Sequence, residues 1–396
     1  MSSDEGVLTR TVVLKVSPEG DINFSKWKTA TNLVLKWLLK NKDKWSKNKN
    51  GESTISLNTV QQVWYKELRE KFGFTSYQAI ACIRQAIAKS WMNNPNKGRE
   101  PRLRKDVIWL KIDDIKEVTK EYVKTSSYGK LIVEGYPKTF DEVNGWKRGE
   151  ARLVKQGDEY YLHISYEKET KLPKPSSNAI AVDINVREVV YGDEKHERRD
   201  KTPVEDLMKK REYVSTLQKK YPSWRSLKRV LLRIRGVYKN IHNALVDWAR
   251  KEAIRIVNYA KKLGKDTIIL EDLNGLNKRQ PGLKKSWRER FQYMAYYTLQ
   301  SWISWEGFKH GIAVIKVPPR YTSTRCPYDG EEMVEVGHRT FRCKKCGFQA
   351  DRDSIARLNL LRRGSSDAPH SHHSEGSVRP QSGGTYEPHL KRTIAL

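Results

Sequence analysis

The chain has no run of eighteen consecutive apolar residues, which excludes an ordinary membrane-spanning helix. Its first residues, MSSDEGVLTR, carry neither a basic cluster nor an apolar core, so no signal peptide is expected and the expected location is cytoplasmic. Cysteine is scarce, with four in 396 residues, and three of those are clustered. That is not the pattern of a secreted disulfide framework. Acid is short as well: 47 Asp and Glu stand against 76 Lys and Arg, for a formal net charge of +29. An excess of that size points to a polyanionic partner, most often nucleic acid, bound by displacing counterions. Twelve Trp and nineteen Tyr are interleaved with the basic residues. Aromatic planes beside cations suit stacking on unpaired bases.

The hydrophobic period changes along the chain. VLTRTVVLKV (7–16) alternates and is β-branched, as a strand is. Residues 25–50 turn helical around Trp27, Leu33, Leu35 and Trp37, then pass into a basic loop. A longer helical region covers 57–92, with Thr75 or Ser76 as an N-cap and Ile80, Ile83, Ile87 and Trp91 on one face. Cys82 reads as a small buried hydrophobe. Strands return in VIWLKI, KLIVEG, GEARLVKQ and EYYLHISYE. This reads as a β-rich module (1–24 and 103–172) interrupted by a helical insertion (25–102). ETKLPKPSS (169–177) has the composition of a linker.

A second unit follows. NAIAVDIN (178–185) is a continuous apolar strand that ends in Asp183, with REVVYGD as its hairpin partner. A basic helical stretch covers 203–262 and is split at YPSW. DTIILEDL (266–273) is another apolar strand, ending in Glu271. A helix near 286–309 and the strand GIAVIKVPP come next, and ADRDSIARLNLLRR (350–363) closes as a helix. The tail, 364–396, is poor in apolar residues and is expected to be disordered.

An acid at the end of a buried strand ordinarily marks a turn. Asp183, Glu271 and one of Asp351 and Asp353 all stand at the edge of one α/β unit. Clustered carboxylates repel one another unless cations sit among them. Two Mg²⁺ ions about 3.5–4 Å apart, held by such carboxylates, form a clamp for phosphodiester cleavage.

Cys326 and the pair Cys343-x-x-Cys346-Gly347 have the spacing of a zinc ribbon with one thiolate missing. Asp329 stands where the second cysteine of the first knuckle would be. The fourth Zn²⁺ ligand is Asp329, or His338 on the connecting hairpin, or water; a site that holds no stable metal is the remaining alternative.

AIAVDINVREVVYGD, IILEDLNGL and PPRYTSTRC…RCKKCGFQADRDSIARLNLL resemble the three RuvC motifs, with an embedded zinc ribbon, of the TnpB family. These are transposon-encoded RNA-guided nucleases related to compact type V CRISPR effectors. The resemblance covers 178–363 closely and the N-terminal module more loosely. It implies a wedge-type β-barrel interrupted by a helical recognition lobe (25–102), and an RNase H-like (RuvC) nuclease domain (173–320 and 348–363). The zinc ribbon (321–347) is inserted in that domain and binds target nucleic acid. It implies two catalytic Mg²⁺ on Asp183, Glu271 and Asp353, with Asp351 as an N-cap. It also implies a structural Zn²⁺ on Cys326, Asp329, Cys343 and Cys346. The partners implied are a guide RNA and target DNA with an adjacent motif, and no membrane. Helix 75–92, with Arg84 and Lys89, is a candidate reader of duplex. Two departures stand out: Ile355 replaces the family's Asn, and Asp183-Ile-Asn replaces a common Asp-x-Gly. The alternatives to a guided endonuclease are a nuclease-inactive guided regulator and a transposase; three intact carboxylates argue for cleavage.

Overall fold

The computed structural model describes residues 5–47, 53–92, 101–272, 287–318 and 321–366. Contacts divide the described residues into two compact units, one within 7–169 and one within 170–366 together with 5–6. None of the described helices is long and apolar enough to cross a membrane.

In the unit built on 7–169, strand β1 (Glu5–Pro18) leads into helix α1 (Phe24–Lys40). Asn23 caps α1 by accepting the Lys26 amide at 2.8 Å. Its buried side chains, Trp27, Ala30, Thr31, Val34, Leu35 and Leu38, recur at three- and four-residue spacing. The helix stops at Lys40, where the basic loop KNKDKWSKNKNG begins. A two-stranded ribbon follows, β2 (Ser46–Lys47) with β3 (Ser53–Thr54).

The helical region 57–92 is two helices, α2 (Leu57–Phe72) and α3 (Ser76–Met92). Gly73 breaks it in a left-handed turn, φ 57°, and its amide bonds back to the Leu68 carbonyl. Thr75 is the cap of α3: its hydroxyl accepts the Gln78 amide at 3.2 Å, and the Gln78 side chain accepts the Thr75 amide at 2.9 Å. Ile83 and Ile87 are buried as the period requires, but Ile80 is only half-buried, because Ala79, Cys82 and Ala86 carry the packed face. The side chain of Trp91 lies outside the described residues. Burial pushes the Cys82 thiol up to about 12, so it is an inert packing group. Arg84 pairs with Glu150.

Strands β4 (Val107–Leu110), β5 (Ile115–Val118), β6 (Tyr122–Thr125), β7 (Gly129–Val133), β8 (Lys147–Gln156) and β9 (Glu159–Lys171) complete a sheet in the order β4-β8-β9-β1-β7-β6-β5. The sequence reading ran the 107–112 strand into Ile112; here a 3₁₀ turn, Ile112–Asp114, ends it. β5 and β6 were not foreseen. One core joins sheet and helices, with Val12, Leu14, Val16, Trp27, Ile83 and Leu131 among its members.

In the second unit, β10 (Ala179–Ile184), β11 (Glu188–Gly192), β12 (Glu197–Lys201), β13 (Thr267–Glu271) and β14 (Ala313–Val317) form a sheet in the order β12-β11-β10-β13-β14. β10, β13 and β14 run parallel, while β11 and β12 are antiparallel. Helices α4 (Val204–Lys220) and α5 (Lys228–Lys262) fill the interval between β12 and β13, separated at the Pro222 break. Helix α6 (Trp287–Lys309) precedes β14.

A second small sheet has the order β15 (Met333–Gly337), β16 (Thr340–Cys343), β17 (Gln349–Asp351). It extends past the 321–347 span expected for the ribbon. Helix α7 therefore begins at Arg352, not at residue 350, and runs to Ser366. The rest of the tail lies outside the described residues.

Alternation along the large sheet sorts its residues between two layers. Ile180, Val182, Ile268 and Leu270 pack on α5 and α6 through Ala253, Ile256, Leu299 and Ile303. Ala179, Ala181 and Ile269 pack on Leu360 and Leu361 of α7. Asp183 and Glu271, two residues beyond Ala181 and Ile269, are on the α7 side.

Candidate active site and metal cluster

The register of β10 and β13 pairs Val182 with Leu270, so Asp183 and Glu271 occupy the next position at the ends of adjacent parallel strands. Asp353 lies in the first turn of α7 and is 2% exposed; Asp183 is 5% exposed. Asp351 accepts the Asp353 amide at 3.0 Å, which is the capping contact expected of it.

Each carboxylate has a distinct partner. Asn185 donates to Asp183 Oδ2 at 2.6 Å. The Thr322 hydroxyl donates to Glu271 Oε1 at 2.9 Å. Arg339 Nη2 donates to both oxygens of Asp353, at 2.5 Å each. Burial, then the charges of Glu271 and Asp353, push Asp183 up to about 8. Burial raises Glu271 and Asp353 as well.

The three carboxylates thus act on one another electrostatically, yet their oxygens do not form one group within 4.8 Å. Such a group forms instead from Asp353, Asp351 and Glu188 of β11. Arg199 of β12 bridges the last two, reaching Glu188 at 2.9 Å and Asp351 at 3.2 Å.

Four residues here went unread in the sequence. They are Glu188, Arg339, Thr322 and Tyr296; burial and the fields of Asp183, Glu271 and Asp353 push the Tyr296 hydroxyl up to about 12. Only Glu188 left a trace, as an acid opening the hairpin partner of β10.

Arg339 sits at the β15–β16 turn with φ 59°, a left-handed backbone uncommon outside glycine. Glu335 accepts its amide at 3.1 Å, and the Arg352 amide donates to its carbonyl at 2.8 Å. These two contacts hold the turn against the start of α7.

Cys326, Asp329, Cys343 and Cys346 form the second group, with one ligand atom from each all within 4.8 Å. Cys326 Sγ is 3.5 Å from Cys346 Sγ, and Cys343 Sγ is 3.2 Å from Asp329 Oδ2. Two sulfurs bound tetrahedrally at about 2.3 Å to one zinc would be about 3.8 Å apart, so the donor set fits that ion closely. The Glu331 amide, followed by the three thiols, holds Asp329 well below the usual carboxylate range. His338 is exposed at the hairpin turn and outside this group. Cys326 and Cys343 pack with Met333 and with Ile355 of α7.

The profile of the family "Cas12f1-like, TNB domain" matches residues 296–360. A TnpB-like protein of Aquifex aeolicus is 28% identical over 233 residues, 53% of this chain and 75% of that protein. The CRISPR-associated endodeoxyribonuclease Cas12f1 of Sulfoacidibacillus thermotolerans is 35% identical over 107 residues, 26% of this chain and 24% of its own. Among solved structures, the protein of a Cas12f1–sgRNA–target DNA complex superposes with a TM-score of 0.52. At 14% identity, it covers 90% of this chain and 99% of its own; the likeness is one of fold.

Proposed function

The chain belongs to the TnpB family, and on that premise we propose that it is an RNA-guided DNA endonuclease whose cleavage centre is built from Asp183, Glu271 and Asp353. The observation that carries this reading is the shared register of Asp183 and Glu271 on parallel strands, with Asp353 opening the helix that packs on the same side. The mixed sheet order β12-β11-β10-β13-β14 supports assigning this unit to the RNase H-like class.

An all-oxygen donor set among buried carboxylates fits magnesium and not a soft metal. Magnesium, when bound there, supplies positive charge that offsets charge developing on the phosphate and the leaving 3′ oxygen. The chain's own groups set the geometry. Asn185 fixes the Asp183 carboxylate, Thr322 fixes that of Glu271, and Arg339 compensates the charge of Asp353. Cys326, Asp329, Cys343 and Cys346 would hold a structural zinc.

Guide RNA and target DNA are the partners, with sequence delegated to base pairing and a short adjacent motif read as duplex. The charge of +29 supports a chain that holds both. The test is to purify the full chain with its bound nucleic acid and sequence that RNA. DNA complementary to the guide is then offered with magnesium. The expected result is cleavage lost in Asp183→Ala, Glu271→Ala and Asp353→Ala with RNA retained. Unguided cutting with no RNA bound would overturn the reading. Guided binding without cutting in the wild type would leave the regulator instead.

A further inference from the structure

The register of the large sheet places four side chains in one row. Glu271 and Asp183 end β13 and β10 at the same height. Asp183 pairs with Val190 of β11, and Val190 pairs with Arg199 of β12. Residues directly opposite one another on neighbouring strands share a face, so Arg199 is on the α7 side with the two acids. It starts two strands away from Asp183, roughly 10 Å along the sheet.

Five contacts fix Arg199, whose side chain is 33% exposed. Nη1 donates to Glu188 and Nε to Glu197, each at 2.9 Å. Nη1 and Nη2 both reach Asp351 Oδ1 at 3.2 Å, and Nη2 donates to Ser354 Oγ at 2.7 Å. Asp351 Oδ1 is also the atom that accepts the Asp353 amide. The edge strand β12 thus holds the start of α7 at residues flanking Asp353.

The same guanidinium fills a place that a metal ion could take. Glu188, Asp351 and Asp353 each bring an oxygen within 4.8 Å of the others. Hard oxygen donors so close together are what Mg²⁺ or Mn²⁺ binds. Arg339 holds Asp353 itself, and Glu188 and Asp351 are left to Arg199. Arginine keeps its proton at any ordinary pH, so this charge is permanent. An ion approaching from the Glu188 side meets a fixed cation and an Asp351 oxygen that already accepts three N–H groups.

We propose that Arg199 is a positioning residue that stands in for a cation between Glu188 and Asp351, keeping divalent metal off that side of Asp353 and confining it to the side shared with Asp183 and Glu271. The proposal rests on the reading of those three carboxylates as the metal-holding centre and adds the residue that decides where beside Asp353 the metal sits.

The test counts Mn²⁺ bound to the full chain, without guide or DNA, from the loss of the free-ion signal in electron paramagnetic resonance. Glu188→Gln should bind as many ions as the wild type. Arg199→Gln should bind an additional ion. Adding Glu188→Gln to that variant should return the count to the wild-type number, and Arg199→Lys should keep it there. An arginine that only braces the fold would lower the melting temperature of Arg199→Gln and add no ion. An unchanged count in a folded Arg199→Gln would therefore overturn the proposal. So would loss of an ion in Glu188→Gln alone, because Glu188 would then be a ligand in the wild type; this variant decides the matter where Arg199→Gln does not fold. Asp183→Asn reads the premise separately. If it removes no ion, the metal-holding centre is wrong, while an ion gained in Arg199→Gln still scores the exclusion by Arg199.

Discussion

The guanidinium of Arg339 bridges both carboxylate oxygens of Asp353, with Nη2 2.5 Å from each. The arginine belongs to the ribbon hairpin and the aspartate to the first turn of α7. Each compensates a charge that its own element does not, so the hairpin and the helix are fixed to each other at the carboxylate cluster.

Arg339→Ala leaves a nearly buried carboxylate without its cation. Losing one partner of a buried pair costs several kcal/mol; with Arg339 39% exposed, about 1–2 kcal/mol is expected here. The melting temperature of the magnesium-free variant should fall. Its rise on adding magnesium should exceed that of the wild type, because the ion no longer competes with a guanidinium. Equal magnesium-dependent shifts in the two proteins would refute this.

Asp183 is pushed up to about 8, first by burial and then by Glu271 and Asp353. A raised carboxylate contributes stability that is complete below its unfolded value, near 4, and is lost as pH rises through about 8. Asp183→Asn should therefore raise the melting temperature of the magnesium-free chain much more at pH 9 than at pH 5. A gain of equal size at both values would contradict the assignment.

Glu252, on α5, is fully buried and raised to about 7 by burial and by Asp200. Asp200 is lowered and accepts the Tyr191 hydroxyl at 2.6 Å. Burial favours the protonated form of Glu252 in the folded chain, and the stability this gives disappears as pH climbs from about 4.5 through 7. Glu252→Gln makes the neutral form permanent. Its advantage over the wild type should grow by roughly 1–3 kcal/mol between pH 5 and pH 8, read from denaturant unfolding.

The cysteine group supplies three thiolates and one oxygen. Asp329→Cys should retain zinc against a chelator at a concentration that strips the wild type, and Asp329→Ala should release it sooner, both measured by elemental analysis after dialysis. Identical retention in all three proteins would show that Asp329 is not a ligand.

Gly364 marks where α7 meets the sheet. A Cβ there would lie 2.3 Å from Ile269 Cδ1 and 2.6 Å from its Cγ1. Gly364→Ala should destabilise by about 1–3 kcal/mol, the usual range for overpacking. Because α7 carries Asp353, guided cleavage should fall with it. A neutral effect on both would mean that Ile269 yields freely.

The parts of the chain that declared themselves were those whose burial is uniform. β10 and β13 are buried on both faces, so each reads as a short unbroken run, and the acids that end them stand out; β14 is broken by the exposed Lys316. β12 is ERRDK, with no apolar residue; it exists because β11 offers it a free edge and its side chains find ionic partners. No period could reveal that. The break between α2 and α3 was visible as Gly73 but needed its left-handed φ to be decisive. Arg339, Tyr296 and Thr322 reach the centre only through tertiary packing, from sequence neighbourhoods that do not mark them as site residues. Asp351 and Asp353 could be ranked in sequence, yet their sharing of one tight group with Glu188 could not.

Asp183 and Glu271 stand one strand apart at the same height. Neighbouring strands lie about 4.8 Å apart because backbone hydrogen bonds hold them there. That gap is a gauge fixed by the polypeptide itself. The long helical excursion between the two strands can grow, shrink or be re-engineered, and the reach between the two acids keeps its value. Variation in this fold can therefore accumulate between the strands while the distance between the two acids is inherited unchanged.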